Sequence, residues 1–164
     1  MFTAMRIPMN KMLKIAALVV SLLVVILIGL APIGPMPGVF IGGTQTATPA
    51  VWGNTSAEHE IRLKVPGTIP RVVIIWVIQY ENDLYIVGSK ESGWVKMLGQ
   101  GGDVDMRLGD NTYRLNASML ATGWQPVITA YMDKYRADYA DIVNSFPAAE
   151  DAKDSTAVFK LSRG

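Results

Sequence analysis

The feature that most restricts how this chain can fold is an uncharged apolar stretch near its N-terminus. It runs from Ile15 to Ala31 with the sequence IAALVVSLLVVILIGLA, and its apolar character continues past Pro32 to Ile33. At about 1.5 Å of rise per helical residue, such a stretch is just long enough to cross the hydrocarbon core of a bilayer. It predicts one transmembrane helix over residues 15–33, in contact with membrane lipid.

The charges that flank this stretch predict its orientation. Arg6, Lys11 and Lys14 precede it, and the first acidic residue of the chain is Glu58. Basic residues beside a membrane span are retained on the cytoplasmic side. We therefore expect residues 1–14 in the cytoplasm, a single pass through the inner (cytoplasmic) membrane, and an extracytoplasmic, periplasmic domain.

A cleaved secretory signal peptide is the alternative interpretation of the same stretch. Signal peptides also combine a basic start with an apolar region, but that region usually has about 7–15 residues. Pro32 directly follows Gly29-Leu30-Ala31, the segment that resembles a cleavage site, and it is unfavourable there. The sequence favours a retained anchor over a signal peptide.

The composition excludes several classes of function. The chain has no cysteine and one histidine, so the sequence predicts neither disulfides nor a metal site. The residues after the predicted anchor contain twelve basic and fourteen acidic side chains, which argues against a nucleic-acid partner. Residues 34–57 are rich in Pro, Gly, Thr and Ala without periodicity and predict a linker, which leaves residues 58–164 for one folded domain.

Period-two alternation of apolar and polar residues dominates that domain. Segments of this kind include Ile61–Val65, Val104–Leu108 and Ala157–Leu161, and one helical pattern extends from about 126 to 143. These patterns predict a mainly β fold with some helix: a small closed or partly open barrel of five to six antiparallel strands and one main helix.

One predicted strand, RVVIIWVIQ at residues 71–79, is apolar on both of its faces. A barrel interior accepts only one of the two rows of side chains. The other row, left in water, would form an apolar patch of a kind that monomers rarely expose. The simplest way to cover it is a two-fold symmetric contact between two copies, so we expect a homodimer.

The region from Arg71 onward resembles a known family. Arg71 opens an apolar strand, LYIVGSKESGWVKML follows at 84–98, and RLGDNTYRL, ITAYMDKYRADYADIV and VFKLSR come later in the chain. In these segments the sequence resembles the flavin-binding split barrels of the pyridoxamine-phosphate-oxidase type, and their deazaflavin-dependent nitroreductase branch. The resemblance covers residues 58–164 and is greatest to a small, uncharacterised bacterial branch.

The resemblance implies a cofactor, flavin mononucleotide (FMN) or a deazaflavin, and a set of residues that bind it. By position, Arg71, Ser89 and Lys90 would hold its phosphate. Trp94 would stack on its ring system, and Lys96 would supply a second cation. The alternative for these residues is structural: a polar strand start, a soluble loop, and a tryptophan that covers the barrel end.

This chain departs from the family pattern at one position. The flavin oxidases carry a lysine five residues after the arginine, where this chain has Trp76. Two functions are therefore expected. The first is a membrane-tethered oxidoreductase that uses a flavin or deazaflavin for two-electron chemistry, with its catalytic residues unidentified. The second is a non-catalytic binding module that keeps the split-barrel fold.

Overall fold

The computed structural model describes residues 9–30, 37–148 and 151–163 of the chain. Parts of the predicted cytoplasmic segment, anchor and linker, at 1–8 and 31–36, lie outside the described residues. The first helix, α1, spans Met9–Leu30, and its side chains from Lys11 to Ile26 are exposed. None of the helices within the described ranges is long and apolar enough to cross a membrane, so the predicted anchor gains no support from the structure.

Six antiparallel strands close into a barrel. They are β2 (Glu60–Val65), β3 (Arg71–Tyr80), β4 (Asp83–Ser89), β5 (Gly101–Leu108), β6 (Asn111–Met119) and β7 (Thr156–Arg163), and a two-residue strand, β1 (Thr44–Gln45), precedes them. The order around the barrel is β2-β3-β4-β7-β6-β5, and the pairing of β5 with β2 closes it. Strand β1 pairs in parallel with the start of β6. The predicted mainly β barrel is confirmed.

The barrel wall is split between β3 and β4. These strands pair at four positions, from Val77 opposite Ile86 to Tyr80 opposite Asp83. Beyond Val77, the part of β3 toward its start pairs with β2, whereas the end of β4 pairs with β7. At the open side of β3, Val72 exchanges two backbone hydrogen bonds with Gly38.

The interior of the barrel forms one hydrophobic cluster, the inner core. The short helix α2 (Gly93–Leu98) contributes to it at one end of the barrel. Its buried members are Ile61, Leu63, Val65, Val77, Leu84, Ile86, Trp94, Val95, Leu98, Val104, Met106, Leu115, Ala117, Ala157, Phe159 and Leu161. Val73 and Ile75 pack against this cluster, so this row of β3 faces inward.

A second cluster, the outer layer, covers part of the outside of the barrel. Helices α3 (Gln125–Arg136) and α4 (Ala140–Asn144) pack over β3, β4 and β7. Its buried members are Ile78, Tyr85, Trp124, Val127, Ile128, Tyr131, Tyr135, Val143, Ala152 and Val158. The one main helix that the sequence predicted ends at Arg136, and α4 continues the path.

The outer row of β3 is thus covered within the chain in two places. Trp76 stacks on Tyr135 of α3, with ring centroids 4.2 Å apart, and Ile78 is buried in the outer layer. Val72, near the other end of the row, is fully buried at the Gly38 bridge. This coverage weakens the packing argument for a homodimer, which stays a prediction.

The segment predicted as a linker is packed on the barrel over its described part, residues 37–57. Trp52 contacts Tyr113 edge to face, with ring centroids 5.1 Å apart. Thr55 is buried, and both its backbone N–H and its hydroxyl donate to the Gln79 side-chain oxygen at 3.0 Å. The residues that make these contacts are scattered along the segment, so the sequence shows no strand or helix periodicity there. For that reason its composition indicated a linker.

Candidate functional site

Arg71 stands at the head of β3, where the barrel wall is split. Its side chain is half-buried, and one guanidinium nitrogen, Nη1, lies against the backbone of Gly93. A Cβ atom at Gly93 would come within 2.3 Å of that nitrogen, so with any other residue there the guanidinium would have to move from this position. Among the residues that the structure describes, the Arg71 guanidinium has no hydrogen-bond or ion-pair partner. Its N–H groups can therefore donate hydrogen bonds to an anionic ligand.

A tight turn brings Gly93 to Arg71. Ser89 ends β4, and its carbonyl accepts the Ser92 N–H at 3.0 Å and the Ser92 hydroxyl at 2.7 Å. The Ser89 Oγ accepts the Glu91 N–H at 3.2 Å, so its own hydrogen is not used in that bond. Ser89 and Arg71, distant in sequence, are thereby joined through the Ser89–Gly93 turn.

The two predicted lysines are both engaged inside the chain. The Lys90 Nζ donates to the Lys153 carbonyl at 2.5 Å. The Lys96 Nζ lies 2.6 Å from the Glu91 carboxylate, and this hydrogen bond lowers the pKa of Glu91. Since Glu91 balances its charge, Lys96 adds little net positive charge for an anion. A ligand would have to draw Lys90 away from a carbonyl oxygen.

Trp94 occupies the end of the barrel. Its side chain is 8% exposed and lies in the inner core, 5.8 Å from the Phe159 ring between centroids. Gly88 leaves the space for it, because a Cβ there would come within 2.2 Å of the indole. The ring is positioned as the structural alternative expected, and to stack on a cofactor it would have to leave the core.

The replacement of the family's lysine by Trp76 is explained by packing. The indole stacks on Tyr135 at an interplanar angle of 12°, beneath α3. Tyr135 is held in turn by its hydroxyl, which accepts the Val77 N–H at 3.0 Å and faces the carbonyl oxygens of Val77 (2.7 Å) and His59 (2.5 Å). A lysine at position 76 would bring a charge beneath the helix, so this chain uses the position for the outer layer.

Taken together, the predicted residues fit the phosphate end of a nucleotide cofactor better than its ring. A guanidinium with no partner in the described part of the chain, beside a serine turn and a glycine that leaves room, suits a phosphate. The arrangement offers no exposed aromatic face from Trp94 for the ring.

Sequence reasoning missed a cavity of about 270 Å³ on the outside of the barrel. It lies between the ends of β4 and β7 and the helices of the outer layer. Its lining includes Val87, Ser89, Ile128, Tyr131 and Phe146. The helical spacing of Ile128 and Tyr131 predicted a buried helix face, but no pattern in the sequence shows where the packing leaves a gap.

Comparison with known proteins identifies relatives by structure alone. No family profile and no curated protein matches this sequence. The conserved hypothetical protein Rv2991 from Mycobacterium tuberculosis aligns over 72% of this chain and 85% of its own, with a TM-score of 0.50 and 9% identity. This similarity shows a shared fold.

Two further solved structures align less well. A NimC/NimA family protein from Clostridium acetobutylicum covers 65% of this chain and 76% of its own, with a TM-score of 0.48 and 20% identity. An FAD- and haem-binding protein from Mycobacterium smegmatis covers 66% of this chain and 62% of its own, with a TM-score of 0.47 and 14% identity.

Proposed function

We propose that the split barrel binds a phosphate-bearing flavin or deazaflavin, with Arg71 as the cation that holds the phosphate. The observation that carries this proposal is the Arg71 guanidinium beside Gly93, at the opening of the barrel wall, which has no hydrogen-bond or ion-pair partner among the described residues. A charge-assisted, bidentate contact from arginine to phosphate is among the strongest hydrogen-bonded contacts in proteins. The resemblance of residues 58–164 to flavin-binding split barrels supports the same choice.

The residues of the Ser89–Gly93 turn have defined tasks in this proposal. Ser89 holds the turn through its bonds with the Glu91 N–H and with Ser92, and Lys90 exchanges the Lys153 carbonyl for the ligand phosphate. Trp94 fixes the turn by filling the barrel end beneath it. When bound, the isoalloxazine or deazaflavin would supply two-electron redox chemistry, while the protein orients it.

A non-catalytic binding module is the second candidate. It is favoured by the internal pairing of Lys96 with Glu91 and by the burial of Trp94, which remove one cation and one stacking surface. Under this alternative the barrel keeps the fold and uses its surfaces for another ligand or a protein partner.

A titration of the full chain with FMN distinguishes the two. We expect binding, and a loss of about 10- to 100-fold in affinity for Arg71→Ala, since a hydrogen bond to a charged group contributes roughly 1.5–3 kcal/mol. The matched control is Arg136→Ala, which removes an exposed arginine that bonds Asn144 at 3.1 Å. Equal affinity in Arg71→Ala and the parent chain would overturn the site. If neither FMN nor a deazaflavin binds, the non-catalytic module is favoured.

The proposal includes the location of the chain. Eleven large apolar side chains between Met12 and Ile26 are exposed on α1, and basic residues precede the uncharged stretch. We propose that the uncharged stretch at 15–33, rather than α1 alone, anchors the barrel to the inner membrane with the barrel in the periplasm. A reporter that works only outside the cytoplasm, fused after Gly164, should be active. Activity of a cytoplasmic reporter alone at that point would contradict the orientation.

The homodimer is also part of the proposal, because split barrels of the family that this chain resembles usually dimerise with the cofactor near the interface. Sedimentation of the chain at micromolar concentration, with and without FMN, measures it. A monomer in both conditions would remove the dimer and one wall of the proposed cofactor site.

A further inference from the structure

The cavity on the outside of the barrel has the character of a ligand site. Its volume of about 270 Å³ exceeds the roughly 150 Å³ of an apolar protein cavity that binds benzene, and approaches the ~300 Å³ at which pockets for larger ligands begin. The size corresponds to a molecule of one to two rings.

Two aromatic rings give the cavity its shape. Tyr131 and Phe146 both line it, and their planes are within 28° of parallel. Their centroids are 6.4 Å apart, whereas the stacked pair of Trp76 and Tyr135 is separated by 4.2 Å. At this spacing the two rings are not in close stacking contact, and since Tyr131 is buried against Trp76 and Tyr135, the accessible aromatic face is mainly that of Phe146. A flat aromatic ligand matches such a face better than a saturated one of equal size.

The lining also determines the charge of the ligand. None of the described residues that line the cavity carries a charge, so an ionised ligand would lose its hydration without a counter-charge from them. Polar groups are present at the β4–β7 edge, where Ser89 and Thr156 line the cavity. The Ser89 Oγ is an acceptor in its bond with the Glu91 N–H, which leaves its hydrogen for a ligand oxygen. Burial raises the pKa of Tyr131, so its hydroxyl stays neutral.

We propose that this cavity binds an uncharged planar aromatic molecule of one to two rings that carries an oxygen substituent toward Ser89. The site is separate from the phosphate site at Arg71. Among the described residues, Gly88 and Ser89 line this cavity, whereas Arg71, Lys90 and Gly93 do not. The inference does not depend on flavin binding.

The test uses 2-naphthol as the probe and the full chain labelled with ¹⁵N. Saturating shifts should concentrate at the amides of Ser89 and Thr156 and their neighbours. Decahydro-2-naphthol, which is similar in size but not flat, and 2-naphthoate, which is charged, should each bind at least tenfold more weakly. Shifts that do not saturate, or equal binding of all three compounds, would overturn the proposal.

Variants distinguish a built site from general apolar adsorption. Phe146→Leu keeps the apolar volume at a side chain that is 36% exposed, so it tests the aromatic face with little risk to folding. We expect this substitution to lower the affinity for 2-naphthol by about five- to tenfold and to leave the affinity for decahydro-2-naphthol unchanged. Ser89→Ala should weaken 2-naphthol several-fold, whereas Ser118→Ala, an exposed serine on β6, should not. Unchanged affinity in both Phe146→Leu and Ser89→Ala would contradict the site.

Arg71→Ala connects this test to the proposed function. It should abolish or weaken FMN binding and leave 2-naphthol binding unchanged. The two proposals can therefore fail separately, because FMN binding tests the phosphate site and 2-naphthol binding tests the cavity. If Arg71→Ala weakens 2-naphthol as much as FMN, the two sites are one and the inference is wrong.

Discussion

The inner core and the outer layer of this barrel are built from different kinds of side chain. The inner core is mainly aliphatic, with Phe159 and Trp94 as its buried rings, and its members alternate along the strands. The outer layer is rich in aromatic residues, and hydrogen bonds help to hold it. A closed barrel can be filled by shape alone, whereas a helix laid on its outside needs contacts that fix its position. The difference indicates that the inner core provides most of the stability, whereas the outer layer fixes the position of the helices on the barrel.

The largest expected effect tests the inner core. Phe159 is fully buried among aliphatic neighbours and Trp94. Phe159→Ala should lower the free energy of unfolding by about 3–5 kcal/mol, because it removes a large apolar side chain and leaves a cavity. Denaturant unfolding followed by circular dichroism measures it. If Phe159→Ala lowers the free energy of unfolding by less than an outer-layer substitution does, the inner core is not the main source of stability.

A smaller effect is expected when one hydrogen-bonding group is removed from the outer layer. Tyr135→Phe keeps the stack on Trp76 but leaves the Val77 N–H without this acceptor. We expect a loss of roughly 1–3 kcal/mol in the free energy of unfolding. Tyr131→Phe is the matched control, since its hydroxyl has no hydrogen bond within the described residues. Equal losses in both variants would mean that the hydroxyl bonds do not hold α3.

Alkaline pH should act mainly on the outer layer. Burial raises the pKa of both Tyr131 and Tyr135 above the unfolded value near 10. The folded state therefore binds protons that the unfolded state releases, so stability is full below pH 10 and falls as pH rises above it. Each tyrosine should contribute a slope of up to about 1.4 kcal/mol per pH unit. Tyr131→Phe should reduce the slope of the unfolding free energy between pH 10 and 11, and an unchanged slope would contradict the assignment.

The smallest expected effect concerns the packed segment at 37–57. Thr55→Val removes a hydroxyl that bonds Gln79 but keeps the shape of the side chain and the backbone bond. A loss of about 0.5–1.5 kcal/mol in unfolding free energy is expected. Thr48→Val, at a hydroxyl bonded to the Arg114 carbonyl at the exposed surface, is the control. If neither substitution changes stability, the Thr55 hydroxyl does not contribute to holding this segment on the barrel.

The strand pattern was predictable because each strand alternates between two environments. Ile61, Leu63 and Val65 lie in the inner core as their spacing indicated. The two apolar rows of β3 also separate as predicted, with Val77 inside and Ile78 outside. The sequence did not show that α3 covers the outer row, since this depends on a contact between Trp76 and Tyr135, which lie 59 residues apart in the chain.

The candidate site was predictable only in part. The resemblance directed attention to Arg71 and Ser89, and the structure brings them together through Gly93. It did not show that Lys96 is balanced by Glu91, because that contact depends on the turn of α2. The cavity beside Ser89 was not predictable, since a gap between packed side chains leaves no periodic signal.

The sequence by itself determined the barrel, because a two-residue period records which side of each strand meets the apolar interior. It also determined the list of chemical groups, which has no thiol and one histidine. Only the tertiary structure decided which of those groups are available. Arg71 has no partner among the described residues and Lys96 is paired with Glu91, although both side chains carry the same charge. The reason is that the availability of a charge depends on its neighbours in space, and the closing of the barrel, not the order of the chain, sets those neighbours.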